Sequence, residues 1–141
     1  MIEFLRLLFF SNILLVTPQP IELRGEVELK PLAPLVAINE GASIWIDVSS
    51  MVKRRREETA LDLDLRVKEL FPDGAIEAVL VSKALNVPLR YKGHFAYGGD
   101  NVKLIVESDG GVPVDVEFNA IVITTSVPLE SVSVWWRNYE S

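Results

Sequence analysis

His94 is the only histidine in the 141-residue chain, and it stands in Y-K-G-H-F-A-Y-G-G-D ahead of Asp100. A general base needs an orienting partner and a nucleophile to activate. Asp100 would supply the first, but no G-x-S-x-G elbow or comparable nucleophile context accompanies the pair. A histidine next to Phe95 in an extended segment reads as a structural side chain. Asp62 and Asp64 are the other candidates for acid–base work. On a strand they share one face, close enough to titrate together and to flank a glycosidic bond. Arg66 and Lys68 continue that face, so it reads as a charge-mixed, solvated surface. No catalytic residue is expected.

Metal and phosphate chemistry find as little support. The chain has no cysteine, which removes disulfides, thiolate nucleophiles and cysteine zinc sites together. Glu107 and Asp109 in E-S-D-G-G lack the alternating ligands of an EF-hand loop, and Asp-Gly-Gly is sufficient as a turn. Gly98-Gly99-Asp100-Asn101 is likewise a turn, because no G-K-[ST] follows to hold a phosphate. No metal and no cofactor are expected.

Binding chemistry is better represented. The net charge of −6 disfavours nucleic acid, whose phosphates an acidic chain repels at long range. Lys53-Arg54-Arg55-Arg56 is the one concentrated basic run, and Glu57 and Glu58 offset half of it. It reads as an exposed loop whose partner, if any, is as well an acidic protein patch as a phosphate. Trp45 and Trp135 are more informative. In V-S-V-W-W-R-N-Y, alternation sends Val132, Val134 and Trp136 to the core and Trp135, Arg137 and Tyr139 to the opposite face. Trp45 falls outward in the same way, with Asp47. Aromatic residues on an otherwise polar face suit a protein interface or a carbohydrate platform.

The elements that would position these residues are mostly strands. Hydrophobic residues make up 49% of the chain, and period-2 alternation recurs through it. I-E-L-R-G-E-V-E-L-K is a half-buried strand. L-V-A-I-N-E-G-A-S-I-W-I-D-V reads as a hairpin turning at Asn39-Glu40-Gly41. A-L-D-L-D-L-R-V-K-E-L shows the cleanest alternation of all and predicts a strand, ended by F-P-D-G. A-I-E-A-V-L-V-S-K-A-L-N fits a strand or the chain's one short helix, with Val79 and Val81 favouring the strand. V-P-L-R-Y-K-G-H-F-A-Y and V-K-L-I-V-E-S are strands either side of the glycine turn. V-P-V-D-V-E-F-N-A-I-V-I-T-T predicts one long strand whose face changes near Asn119-Ala120, and V-P-L-E links it to the last strand.

Residues 1–18 stand apart. The apolar run from Leu7 to Val16 is too short to span a bilayer. Glu3 offsets Arg6 and no small-x-small cleavage site follows, so a signal peptide, and with it membrane targeting, ranks behind a buried strand or an interface arm. Residues 19–141 are expected to form a single-domain, all-β antiparallel sandwich, jelly-roll-like or immunoglobulin-like, with at most one short helix. The expected function is non-enzymatic: a protein interaction or assembly module, such as a virion or secretion-apparatus subunit or an inhibitor- or immunity-type partner. It would act with a protein partner or as a homo-oligomer, in a cytoplasmic or virion-associated setting. Carbohydrate binding through Trp45, Trp135 and Tyr139 is the alternative.

Overall fold

The computed structural model describes residues 13–138. Its strands are β1 (Ile13–Leu15), β2 (Ile21–Leu29), β3 (Leu35–Val36), β4 (Ser43–Asp47), β5 (Ile76–Val81), β6 (Asn86–Gly98), β7 (Asn101–Glu107), β8 (Glu117–Phe118) and β9 (Ala120–Arg137). One helix, α1 (Ala60–Leu70), lies between β4 and β5. The chain is thus an all-β, antiparallel, single-domain protein with one short helix among the described residues. The pairings form a ring rather than marking out two stacked layers. β9 pairs with β4, β4 with β7, β7 with β6, β6 with β5, and β5 again with β9. β1 and β2 run along the other edge of β9. β3 and β8 make a separate two-stranded sheet.

The ring closes because β9 changes character along its length. Its first part, Ala120–Thr125, pairs with β5, and its last part, Ser133–Arg137, pairs with β4. Between them the register against β2 slips, from Leu23 opposite Leu129 to Ile21 opposite Val132. Ser131 sits in that slip with φ of 53°, in the left-handed region that L side chains rarely adopt. The extra residue is a bulge, and it exchanges the two faces of the strand. Odd residues Ile121, Ile123 and Leu129 point inward before it, and even residues Val132, Val134 and Trp136 after it. Ile44 and Ile46, Ile76 and Leu80, Leu89 and Tyr91, and Leu104 and Val106 complete the interior.

The segment with the cleanest alternation is the helix. Thr59 caps it, its Oγ1 accepting the Asp62 N–H at 3.1 Å, and Asp62 lies in the first turn, where the helix dipole favours negative charge. Leu63, Val67 and Phe71 are spaced by four residues and fully buried, whereas Leu61 and Leu65 are 67% and 58% exposed. The leucines at every second position fitted a strand by coincidence. The capping threonine and the i,i+4 spacing carried the helical signal, and Lys68 completes it by pairing with Asp64 at 2.9 Å.

Three other expectations are corrected. Residues 35–48 are not a hairpin, since β3 pairs with β8 and β4 with β7 and β9. Residues 112–118 are not a long strand: only Glu117–Phe118 form a strand, Val114 makes an isolated bridge to Ala37 and is 43% exposed, and Asp115 has φ of 61°. V-P-L-E is no linker, because β9 runs through it, with Pro128 in the register slip between Thr125 and Leu129. Of the apolar N-terminal segment, residues 13–15 form β1 against the end of β9, and residues 1–12 lie outside the described residues.

Truncation separates helix from strand at this segment. Leu63→Ala should cost about 2–5 kcal/mol in urea denaturation, while Leu61→Ala should change stability by no more than about 0.5 kcal/mol. A strand with Leu61, Leu63, Leu65 and Val67 all inward would lose comparable stability at both positions.

Candidate functional site

The outward face of β1, β9, β4 and β7 is built by the same alternation that fills the core. With Ile44, Ile46, Val134, Trp136 and Leu104 inside, their neighbours must project the other way. Trp45 stands opposite Trp135 on one side and Ile105 on the other. Leu15 stands on the far side of Trp135. The indole that alternation placed on a polar face is therefore one of a cross-strand tryptophan pair, flanked by the chain's own first described strand.

Two cations complete the face. The Arg137 guanidinium lies 4.1 Å from the centre of the Trp45 ring. The Lys103 Nζ lies 5.8 Å from the centre of the Trp135 ring. Each such contact is worth about 0.5–1 kcal/mol where water still reaches it. The Trp45 Nε1–H donates to Ser43 Oγ at 2.9 Å, holding the ring along the sheet. The Trp135 Nε1–H is buried and has no acceptor among the described residues. Two shallow depressions border these side chains. One, of about 260 Å³, is lined by Trp45, Ala96, Tyr97, Asn101, Lys103 and Arg137, with Gly98 in its floor. The other, of about 200 Å³, is lined by Ile13, Trp45, Lys103, Trp135 and Arg137. Trp45, Lys103 and Arg137 belong to both, so the two form one groove.

The basic run reaches the rim of this groove through one residue. Lys53, Arg55 and Arg56 are exposed, while Arg54 is half-buried with its guanidinium 5.0 Å from the Tyr97 ring centre. Glu58 organises the loop. It accepts the Arg55 backbone N–H at 3.1 Å and binds the Arg66 guanidinium at 2.8 and 3.0 Å. Arg66 also donates to the Lys53 carbonyl. The Arg55 N–H first, and then Arg66, hold the Glu58 carboxyl below its ordinary value against the opposing effect of burial. Ser50 Oγ donates to the Glu130 carbonyl at 2.6 Å, fastening the start of the loop to the bulge in β9.

The remaining sequence candidates disperse. His94 Nδ1 meets Glu107 Oε1 at 2.6 Å, so its partner is Glu107 and not Asp100. Asp109 pairs with Lys92, whose ammonium holds the Asp109 carboxyl below the ordinary range. Glu107 and Asp109 are thereby engaged with different side chains, His94 and Lys92, and no cluster of three or more potential metal ligands occurs among the described residues. Asp62 and Asp64 do not share a strand face. On α1 they are two residues apart, about 200° around the axis, and Asp64 is taken by Lys68. Tyr139 lies outside the described residues. Lys103, Tyr97 and Ser43 went unnoticed in the sequence. Alternation in V-K-L-I-V-E turns Lys103 away from Leu104, but nothing local says that β7 lies beside β4.

No known protein family, characterised protein or solved structure matches this chain. What the site can do is set by its own chemistry.

The acid sensitivity of the loop follows from Glu58. A carboxyl depressed in the folded state contributes stability that is full above its unfolded value and lost as the pH falls through the folded one. Glu58→Gln should therefore lower the melting temperature at neutral pH, and the difference from wild type should shrink as the pH drops below about 4.5, the ordinary value. A constant difference across the titration would exclude the ion pair as the anchor.

Proposed function

We propose that this protein is a non-enzymatic protein interaction or assembly module and that its contact surface is the outer face of β1, β9, β4 and β7. The observation that carries this reading is the opposed pair Trp45 and Trp135, placed on a sheet surface beside the exposed Ile13 and Leu15 of the flanking strand. Tryptophan and arginine are the side chains that dominate binding energy at interfaces, because they bury large areas with few rotatable bonds. A large apolar surface held rigidly by strand pairing also loses little entropy on association. A structural subunit of a larger complex or an inhibitor-type partner both use such a surface.

Carbohydrate binding ranks second for a specific reason. A sugar ring stacks on the open face of an aromatic side chain, and the Arg137 guanidinium occupies the face of Trp45 that this would need. A guanidinium stacked on indole is itself an interface element.

The test is the mass of the full chain in solution. Sedimentation velocity and native mass spectrometry of protein from its own host should show an oligomer or a complex with a second protein. The double variant Trp45→Ala, Trp135→Ala should return it to the monomer while the far-UV circular dichroism stays unchanged. A wild-type monomer, or an assembly indifferent to both substitutions, overturns the reading.

A further inference from the structure

Outside the groove and its rim, six of the described lysines and arginines are neutralised, and Lys53, Arg55, Arg56 and Lys83 stand exposed on loops. Arg24, Lys30, Arg66, Lys68, Arg90 and Lys92 each meet a carboxylate. Lys103 and Arg137 in the groove, and Arg54 at its rim, have no carboxylate partner among the described residues. All three instead lie over aromatic rings. A guanidinium stacked on a ring still presents its in-plane N–H fork outward, in the geometry that takes a carboxylate with two hydrogen bonds. The groove is therefore apolar in its base and positive at its rim, on a molecule whose net charge is −6.

We propose that this groove receives an acidic peptide segment of a partner protein, its carboxylates meeting Arg137 and Lys103 and its apolar side chains lying between Trp135 and Ile13. The proposal rests on the interaction-module reading and names the chemistry of the partner. Charge complementarity selects the segment, since the acidic surface outside this face and the neighbouring loop of Lys53, Arg55 and Arg56 repels it. The covered rings decide against the other anions. Single-stranded nucleic acid needs aromatic faces free for stacking, and a sulfated sugar brings a dense negative charge that the net −6 of the chain repels. A polyphosphate backbone would in addition meet the repulsion of the whole chain. A carboxylate needs only the exposed N–H edges, and those are free.

The experiment is a binding titration of the full chain by fluorescence anisotropy. The probe is a fluorescein-labelled decapeptide of alternating Glu and Leu, and the comparators are its Lys and Leu counterpart, a deoxythymidine decamer and heparin. The Glu peptide should bind, with affinity that falls as salt rises. Arg137→Glu and Lys103→Glu should each weaken it by about tenfold or more, about 1.4 kcal/mol. Lys83→Glu, on an exposed turn elsewhere, should leave it within about twofold. If the reversed charges prevent folding, Ser133→Lys still decides the matter. Ser133 lies opposite Asp47 on this face, and the added cation should tighten binding. Equal binding of the Lys peptide, tighter binding of heparin or the thymidine decamer, or no binding of the Glu peptide each overturns the acidic partner. Should that happen while the double tryptophan variant still dissolves the assembly, the interaction face stands and only its charge preference falls. If the masses are also unchanged, both fail.

Discussion

Everything in this fold depends on one strand being able to face two ways. β9 is 18 residues long, and a strand of that length would twist far out of plane if it kept a single register. The bulge at Ser131 divides it, so that one half completes the ring against β5 and the other against β4. The left-handed backbone of Ser131 carries a cost of about 1–3 kcal/mol. The closed pairing on both sides of β9 offsets it, because the ring leaves fewer backbone groups for another chain to pair with. The same bulge sets the chemistry of the surface. Without the change of face, Trp136 would point to solvent and Trp135 to the core, and the tryptophan pair with Trp45 would not exist.

Polar groups inside the ring are treated in two ways. Asn138 is buried and satisfied, its Oδ1 accepting the Ile38 N–H at 3.0 Å and its Nδ2 donating to the Val36 carbonyl at 3.3 Å, which ties the end of β9 to β3. The Tyr91 hydroxyl and the Trp136 Nε1–H are buried with no partner among the described residues. Burial first, and then the nearby Asp64 and Asp73, push the Tyr91 hydroxyl up to about 12, so it stays neutral at ordinary pH. An unpaired neutral hydroxyl costs far less than an unpaired charge, and each of these rings repays part of its polar penalty through the apolar area it buries. The core is thus apolar in bulk with a few aromatic polar atoms left over, while the ionic interactions lie at the periphery.

The sequence made the strands legible where one face is buried and the other is wet. In β2, β4, β7 and the end of β9, alternation identifies Leu23, Ile44, Ile46, Leu104, Val134 and Trp136 as inward-facing, and with them Trp45 and Trp135 as outward-facing. It misled at α1, where Leu61, Leu63, Leu65 and Val67 mimic a strand. Two of those four are exposed because an 11-residue helix can bury only the residues one turn apart. It was silent on adjacency. That Trp45 lies opposite Trp135, and Lys103 opposite Asp47, depends on pairings between residues 90 and 56 positions apart in the chain, and no local pattern encodes such a partner. The basic run was visible as a charge cluster, but that only Arg54 reaches the groove depends on Glu58 and Arg66 fixing the loop.

The groove combines two features that would be liabilities on an isolated surface. A tryptophan pair on an open sheet invites nonspecific association, and unneutralised cations on an acidic protein attract any passing anion. Stacking each cation on a ring tempers both. The guanidinium and the ammonium keep water near the indoles and interrupt the apolar patch, and the rings hold the cations at fixed positions in place of a mobile cloud of charge. A partner must then satisfy both at once, with carboxylates where the N–H groups point and apolar area between them. Discrimination of that kind comes from the mismatch it imposes on wrong partners as much as from attraction to the right one. The Trp135 Nε1–H has no acceptor among the described residues, so the ring takes its orientation from its neighbours on the sheet, with Trp45 and Leu15 beside it in the strand register and the Lys103 ammonium over its face. The strand pairing that aligns β1, β9 and β4 therefore fixes the position of the recognition surface as well as the closure of the sheet.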